Sequence, residues 1–437
     1  MVDEDFEAVK LRVFDMLDGR LSNVHEPKDI YTIVERVVKT VKADTTKEQL
    51  KEILTDIRMF PPIDKYLHDE QVEDIMINNT TNTFIYHSQS GNIKVDERIN
   101  SIEDLNNFVR KLRVYATTAT ANKHIYDVHL PNGSRANIVQ SPLGPDITIR
   151  NFKQRAYSMI DLVNLGELSW EMAGRFWLYA EGLEVRPANL LIGGMPGSGK
   201  TTLLNAMFSF FRPEARVVVL EETYELNTET QENCVRLETT TDITLEDLLK
   251  NTLRMRPDLI LIGEVRGAEA KVMMEAMNVG KIVMSTIHAN TSRDIVTRLE
   301  HDPMNIDKEL IPLVDAFILS SQINQGGQYF RRITQVSETS GIETNVLLSD
   351  LYAYDYKTHK GSQILPSVTY RDVLAKLTGY APSQVMEEER RRARILERLN
   401  KLGKKDLRSI NEFCRDYYDN PMKALTKIDL QGLGSLY

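Results

Sequence analysis

Hydrophobic positions in the first sixty residues recur at the spacing of an α-helix. One series runs from Phe6 to Leu17, and a second runs from Ile30 to Val41. Apolar residues three and four positions apart lie on one face of a helix, which is buried when the helix packs. The pattern predicts a helical N-terminal region over residues 1–60 that packs or docks against another part of the protein.

The hydrophobic period shortens towards two after Phe60-Pro61-Pro62, which indicates short strands with one interrupting helix. Asn132-Gly133 lies between flanks that alternate apolar and polar residues, and this dipeptide favours a tight hairpin turn. We therefore predict a small α+β domain over residues 61–152. A linker is predicted at 153–168.

Short apolar runs alternate with helical patterns over residues 169–367. The clearest runs are Leu190–Ile192, Val217–Leu220, Leu259–Ile262 and Ile282–Ile287. Such alternation predicts a parallel sheet with helices on both faces, in which ligands bind beyond the carboxyl ends of the strands.

A helical C-terminal region is predicted over residues 368–437. Glutamate and arginine residues recur there at four-residue spacing, for example Glu387 with Arg391 and Glu388 with Arg392. Pairs at this spacing stabilise exposed helices. The pattern favours a solvated face, and a docking surface for a membrane partner is the alternative.

A glycine-rich turn joins the run at Leu190–Ile192 to the helix that is predicted to begin near Lys200. Gly194 to Thr201 fits G-x-x-x-x-G-K-[ST], the phosphate-binding loop. Glycines let backbone N–H groups converge on a phosphate, and the helix N-terminus adds partial positive charge. The lysine can reach the β- and γ-phosphates, and the threonine hydroxyl can bind Mg²⁺. The predicted nucleotide ligands in this loop are Gly194, Gly197, Ser198, Gly199, Lys200, Thr201 and Thr202.

Three other predicted strands end in groups that suit hydrolysis. One ends in Glu221-Glu222, the next in Gly263-Glu264, and the third in His288. One carboxylate could deprotonate water, a second could hold Mg²⁺ through its water shell, and the histidine could contact the γ-phosphate. The structural alternatives are that Glu222 caps a helix and that His288 is a satisfied polar residue under the sheet.

Composition narrows the class of protein. A chain of 437 residues suggests two or three domains, and its net charge of −9 argues against broad nucleic-acid binding, although a local basic groove is not excluded. Cys234 and Cys414 form no CxxC pair, so a zinc module and a disulfide framework are not expected. The acidic N-terminus and the lack of a long apolar run predict a cytoplasmic protein without a signal peptide or membrane span.

From about residue 60 to about residue 355, these motifs resemble those of the secretion and pilus-assembly ATPase superfamily, which drives type II and type IV secretion and type IV pili. Leu220–Leu226 resembles the acidic "Asp box", Gly263–Glu269 an atypical Walker B motif, and Ser285–Asn290 the "His box". His129–Arg135 and Ile147–Arg150 resemble two arginine-bearing strands of the family's N-terminal domain.

The resemblance implies a homohexameric ring that hydrolyses ATP with Mg²⁺ on the cytoplasmic face of a membrane assembly. It implies that Thr201 and Glu264 support the metal ion, that Glu221 is the catalytic base and that His288 senses the γ-phosphate. Arg135 and Arg150 would stabilise charge from the N-terminal domain. Further candidate nucleotide contacts are Arg254, Arg256 and Arg266.

The predicted fold class is α/β. A RecA-like phosphate-loop domain is expected after a small PAS-like α+β domain, with helical regions at both ends. Motif spacing from Met277 to His288 is similar to that of the archaeal pilus, archaellum and secretion motors. The family often has Glu-Asp where this chain has Glu221-Glu222, which leaves the identity of the base open.

The expected partner is a polytopic membrane platform protein, so membrane contact would be indirect, and no nucleic acid is expected. A DNA-translocating hexameric ATPase is the alternative from another class, and a nucleotide-gated scaffold without useful turnover is a third. The sequence leaves open the choice among pilus, secretion and archaellum roles, and the direction of mechanical work.

Overall fold

A computed structural model describes residues 4–22, 24, 26–119, 124–152, 156–222, 224–240 and 242–430. The chain divides into two compact units. The first unit comprises Met1–Arg155 and Gln325–Tyr329, and the second comprises Ala156–Asn324 and Phe330–Tyr437. The predicted division into five regions is finer than these two units and stays a prediction.

The described part of the first unit contains a seven-stranded sheet and five helices. The helices are α1 (Glu4–Leu17), α2 (Pro27–Val41), α3 (Lys47–Asp56), α4 (Asp64–Leu67) and α5 (Ile102–Arg113). The strands are β1 (Val72–Ile77), β2 (Thr83–His87), β3 (Gly91–Val95), β4 (Ala116–Ala119), β5 (Ile125–His129), β6 (Arg135–Ser141) and β7 (Gly144–Arg150). They are ordered β3-β2-β1-β7-β6-β5-β4 and pair antiparallel. The hairpin predicted around Asn132-Gly133 is confirmed, because β5 and β6 pair on either side of it.

Helices α1 to α3 share one hydrophobic core with this sheet. Val13 and Val34 are fully buried in the same cluster as Ile75 and Val128. The amphipathic faces predicted for residues 1–60 are therefore buried as expected. However, the predicted boundary at residue 60 does not separate two cores, because these faces are covered by the α+β segment itself.

A nine-stranded sheet lies in the second unit, apart from the strand ends within Gln325–Tyr329, which group with the first unit. Its strands are β8 (Leu190–Gly193), β9 (Val217–Glu221), β10 (Cys234–Glu238), β11 (Leu259–Ile262), β12 (Ile282–Ile287), β13 (Ala316–Gln325), β14 (Gln328–Ile342), β15 (Val346–Asp355) and β16 (Lys360–Gln363). The order is β10-β9-β11-β12-β8-β13-β14-β15-β16. The six strands from β10 to β13 in this order pair parallel, and β14 to β16 pair antiparallel.

Ten helices complete the described part of the second unit. They are α6 (Met159–Asn164), α7 (Trp170–Glu181), α8 (Lys200–Met207), α9 (Leu245–Thr252), α10 (Glu269–Asn278), α11 (Ser292–Glu300), α12 (Thr369–Thr378), α13 (Pro382–Lys401), α14 (Leu407–Asp419) and α15 (Pro421–Lys427). Short 3-10 turns lie at Gly182–Glu184, Phe208–Phe210 and Ile311–Leu313. Among the described residues, no helix combines the length and the apolarity needed to cross a bilayer.

Helices cover both faces of the parallel strands. Along β9, Val217 and Val219 belong to a core shared with α7, α8 and the C-terminal helices, whereas Val218 and Leu220 belong to a core shared with α9, α10 and α11. Strands buried on both faces are continuously apolar, which is why the sequence shows unbroken runs there. The prediction of a mixed α/β fold with a helical C-terminal region is confirmed, and the RecA-like and PAS-like assignments stay predictions.

The predicted linker at 153–168 is partly helical. Ser158 caps α6 by accepting a hydrogen bond from the Asp161 backbone, and Met159 and Ile160 are fully buried in the core of the second unit. Residues 153–155 lie outside the described residues. From residue 156 onward the segment is therefore part of a packed unit and not a free connection.

The prediction of a solvated C-terminal helix is wrong for one face of α13. The expected pair between Glu388 and Arg392 forms at 2.7 Å, but both side chains are fully buried. Arg392 also pairs with Glu181 of α7, and its guanidinium lies 5.5 Å from the Trp177 ring centroid and 5.7 Å from that of Tyr417. Four-residue spacing predicts the pair itself, but it does not predict which helix covers the pair.

We expect Glu388→Ala to lower the free energy of unfolding of the second unit by about 3–5 kcal/mol, because the buried Arg391 and Arg392 would each lose an ion pair. Arg392 would keep its pair with Glu181. The matched control is Glu387→Ala, because Glu387 pairs with Arg390 at the exposed surface. Its effect should stay within about 0.5 kcal/mol. Chemical denaturation followed by tryptophan fluorescence measures both, and equal midpoints for the two variants would contradict the expectation.

Candidate active site

The glycine-rich segment forms a tight loop between β8 and α8. Gly199 precedes the first helical residue with φ of +98°, a left-handed conformation that favours glycine. At Gly194, a Cβ atom would lie 2.3 Å from both Ser198 Oγ and the Ser320 carbonyl oxygen. The motif therefore needs glycine at this position, because Ser198 of the same loop and Ser320 of β13 leave no room for a side chain.

The loop suits a phosphate group. Ser198 is almost fully buried, and its Oγ has no hydrogen-bond partner in the described part of the chain. Such a hydroxyl costs free energy unless a ligand satisfies it. The first N–H groups of α8 also lack intrahelical partners, as at every helix start. Phosphate oxygens would accept hydrogen bonds from all of these donors.

The predicted lysine, histidine and second glutamate lie together. Lys200 Nζ donates to the Met195 carbonyl at 3.1 Å and lies 3.3 Å from His288 Nδ1. His288 Nε2 lies 2.8 Å from Glu264 Oε1, and Arg266 donates to Glu264 Oε2 at 2.9 Å. The ends of β8, β11 and β12 thus contribute to one polar cluster, as the strand ends predicted.

Electrostatics favour an ionised Glu264. Partial burial raises the pKa of its carboxyl, but the hydrogen bond from Arg266 and the electrostatic effects of His288 and Lys200 outweigh burial and hold the pKa below its usual value. A carboxylate of low pKa is a weak proton acceptor but a good partner for a cation. Among the described residues, no three acidic, histidine or cysteine side chains cluster as metal ligands. Thr201 and Glu264 are the predicted residues with oxygen atoms that could hold Mg²⁺ beside a nucleotide.

Glu221 has a different environment at the end of β9. The residue is 2 % exposed, and its Oε1 accepts hydrogen bonds from the backbone N–H groups of Glu225 at 2.9 Å and Leu226 at 3.0 Å. Its Oε2 makes no hydrogen bond within the described residues and lies 3.6 Å from the Arg236 guanidinium. Burial raises the pKa of Glu221 above its usual value despite these contacts. A raised pKa suits a general base.

The adjacent carboxylate faces outward. Glu222 is exposed, and its Oε2 lies 3.3 Å from Arg266. The two neighbouring glutamates therefore occupy distinct surroundings, one desolvated and one in solvent. This difference favours Glu221 over Glu222 as the base that the sequence left unresolved.

Two predicted nucleotide contacts lie elsewhere in the unit. Arg254 and Arg256 are exposed and precede β11, whereas Glu264 follows the same strand. They therefore lie at the amino-terminal edge of the parallel strands, opposite the phosphate loop. The structure does not bring them to the loop, so their predicted role in nucleotide binding is unsupported within this unit. By contrast, Thr201 and Thr202 occupy the first turn of α8, where the motif predicts them.

In the first unit, the two predicted arginines are cross-strand neighbours. Arg135 on β6 faces Arg150 on β7 directly, and His129 on β5 faces Arg135 from the other side. Directly opposed residues share one face of a sheet. Burial and the charge of Arg135 lower the pKa of His129, so the arginines carry the positive charge of this row. His129 is the first residue of the stretch His129–Arg135, and the hairpin turn fixes the register that places it opposite Arg135.

Three further residues contact the candidate site without a recognisable motif. Arg236 approaches Glu221 from β10, Ser320 approaches the phosphate loop from β13, and Arg331 does so from β14. Neither β10 nor β13 was predicted. These contacts depend on strand pairing across long sequence separations, which local periodicity does not report.

Comparison with known proteins gives consistent matches. A family model described as "Type II/IV secretion system protein" matches residues 59–324, more than half of the chain. Uncharacterized protein MJ0900 of Methanocaldococcus jannaschii is 29% identical over 446 residues, which covers 97% of this chain and 79% of that protein.

Two similar bacterial proteins carry functional names. Conjugal transfer protein TrbB of Rhizobium radiobacter is 33% identical over 221 residues, which covers 48% of this chain and 65% of TrbB. Type IV pilus assembly ATPase PilB of Acinetobacter baylyi is 32% identical over 169 residues, which covers 38% of this chain and 28% of PilB. Both matches cover less than half of the present chain.

We expect Glu221→Gln to slow ATP turnover by about 10²–10⁴-fold, because the amide cannot accept a proton from water. Wild-type turnover should fall with decreasing pH, since the base acts only when ionised. Because burial raises the pKa of Glu221, this fall should begin at a higher pH than for an ordinary glutamate. Turnover at saturating ATP across a pH series measures both effects.

Glu222→Gln is the matched control, because it makes the same chemical change one residue along the chain at an exposed position. It should retain turnover within about twofold of wild type, as surface substitutions usually do. An inactive Glu222→Gln protein together with an active Glu221→Gln protein would show that the base is assigned one position off.

Proposed function

Because the chain belongs to the type II/IV secretion system protein family, we propose that it is an ATPase motor. It couples ATP hydrolysis to assembly of a type IV pilus-like filament or to type II/IV protein secretion at the cytoplasmic membrane face. The observation that carries this proposal is the convergence of Lys200, His288 and Glu264 beside the phosphate loop. Names of similar proteins, a conjugal transfer protein and a pilus assembly ATPase, support a role in transfer or assembly.

Each site residue has a distinct task in the proposed reaction. Backbone N–H groups of the loop and Lys200 hold the phosphates of the substrate ATP. Thr201 and Glu264 hold Mg²⁺, which when bound neutralises charge on the phosphate oxygens. His288 contacts the γ-phosphate. Its Nε2 lies 2.8 Å from Glu264 Oε1, so the same histidine also contacts the carboxylate that holds the metal ion.

Glu221 orients and deprotonates the attacking water. Two backbone donors fix its Oε1, so Oε2 is the atom that accepts the proton. The water oxygen bonds to the γ-phosphorus as the bond to the bridging oxygen of ADP breaks, which gives ADP and phosphate. Arg236, 3.6 Å from Oε2, favours the ionised carboxylate that this step needs.

The proposed motor is a homohexamer whose N-terminal unit takes part in the reaction. Arg135 and Arg150 form a pair of adjacent cations on β6 and β7. In the proposal they close onto nucleotide held by the ATPase unit, and opening after product release converts hydrolysis into movement within the ring. The proposed partner is a polytopic membrane platform protein, through which the cytoplasmic motor is associated with the membrane.

Two alternatives make different experimental predictions. A DNA-translocating motor would show ATP turnover that DNA stimulates and that salt suppresses. A net charge of −9 argues against this alternative. A nucleotide-gated scaffold would bind ATP but show no steady-state turnover. Hydrolysis by the purified chain with and without DNA, over a salt series, distinguishes all three functions.

We expect Arg135→Ala and Arg150→Ala each to reduce ATP turnover at least about tenfold, a conservative floor for an arginine that stabilises phosphoryl transfer. Both variants should fold and bind nucleotide. Lys94→Ala is a suitable control, because Lys94 is an exposed cation on β3 at the far edge of the same sheet. If turnover of both arginine variants stays within about twofold of wild type, the N-terminal unit takes no part in ATP hydrolysis.

A further inference from the structure

The phosphate loop is supported from one side by β13 and β14. Strand β13 pairs parallel with β8, so that Leu319 lies opposite Gly193 and the chain continues to Ser320 beside the loop. Strand β14 is the next strand in the sheet and carries Arg331. Two side chains from outside the sequence motif are therefore placed next to the loop.

Both side chains donate hydrogen bonds to consecutive carbonyl groups of the loop. Ser320 Oγ donates to the Ser198 carbonyl at 2.5 Å, and Arg331 Nε donates to the Gly197 carbonyl at 2.8 Å. The Arg331 side chain also covers Gly199, since its Cδ would lie 3.2 Å from a Cβ atom at that residue. Ser320 is buried and Arg331 is half-buried, so solvent competes weakly for these bonds.

These bonds fix the orientation of the peptide planes. In a trans peptide the C=O and N–H groups point in opposite directions. Holding the Ser198 carbonyl towards Ser320 therefore turns the Gly199 N–H away from β13. Holding the Gly197 carbonyl fixes the preceding peptide plane, in which the Ser198 N–H donates to the Met195 carbonyl at 3.1 Å. Glycines leave a free loop flexible, so this support lowers the ordering cost of binding phosphate.

We propose that Arg331 is a positioning residue for nucleotide binding, which holds the phosphate loop in its binding conformation through the Gly197 carbonyl. The inference rests on the proposed function only in taking the loop as the nucleotide site. Arg331 acts on the backbone of a loop that ADP and ATP both use. It therefore contributes equally to binding of substrate, product and transition state, and its loss raises KM while kcat is retained.

The test compares ADP affinity by isothermal titration calorimetry in EDTA, so that neither Mg²⁺ nor hydrolysis affects the result. Arg331→Ala should bind ADP at least about tenfold more weakly than wild type, the scale of one charge-assisted hydrogen bond. Arg331→Lys keeps the charge but loses the Nε donor. Its ADP affinity should lie between those of wild type and Arg331→Ala. In steady state, Arg331→Ala should raise KM for ATP by a similar factor and keep kcat within about twofold.

Arg332→Ala is the matched control on the same strand. Arg332 donates to the carbonyls of Leu165 and of Arg331 itself, and these bonds do not involve the loop. ADP affinity of this variant should stay within about twofold of wild type.

Wild-type ADP affinity in Arg331→Ala would overturn the inference. So would a loss of kcat with unchanged ADP affinity, because it would place Arg331 in the transition state. If Arg331→Ala does not fold, Arg331→Lys becomes the test variant. Wild-type ADP affinity in Arg331→Lys would then overturn the inference. Failure of the wild-type chain to bind ADP would instead contradict the proposed function, so the two failures are distinguishable.

Discussion

Parallel pairing of β9, β11, β12 and β8 brings the carboxyl ends of four strands to one edge of a sheet. The phosphate loop, Glu264 and His288 follow three of these ends within a few residues, and Glu221 is the last residue of the fourth strand. Polar groups can collect there because helices cover both faces of the strands and leave the edge for ligands. The candidate chemistry depends on this constraint, since no two of its four segments are adjacent in sequence.

Two glutamates at this edge are separated by their environments. Burial raises the pKa of Glu221, whereas Arg266, His288 and Lys200 hold the pKa of Glu264 below its usual value. Divergent pKa values in one site allow one carboxylate to accept a proton while the other stays ionised beside a cation. The assignment of base and metal-holding roles thus has a physical basis beyond the order of motifs.

Local sequence patterns predicted the strands, the phosphate loop and the hairpin, whose conformations depend on neighbouring residues. Unbroken apolar runs gave β8, β9, β11 and β12, because strands buried on both faces need no polar residues. The glycine spacing gave the phosphate loop, and Asn132-Gly133 gave the hairpin that aligns Arg135 with His129. In each case the signal lies within about ten residues, the range over which periodicity and turn chemistry act.

Local sequence patterns did not predict contacts between residues that are far apart in the chain. Arg331 contacts the loop across 134 positions, and nothing near it in the sequence reports that contact. Glu388 and Arg392 carry the spacing of an exposed pair, yet α7 covers them. Arg254 is a candidate nucleotide contact by resemblance but lies at the opposite sheet edge, because it precedes β11 whereas Glu264 follows that strand.

Steady-state ATP hydrolysis by purified Lys200→Ala tests the nucleotide site most directly, with Lys281→Ala as the control. Lys281 precedes β12 at the other edge of the sheet and donates to the Pro257 carbonyl. Loss of the charge-assisted phosphate contact should abolish turnover in Lys200→Ala, while the control retains it. Normal hydrolysis by a folded Lys200→Ala protein would contradict the assignment of this loop as the site of ATP hydrolysis.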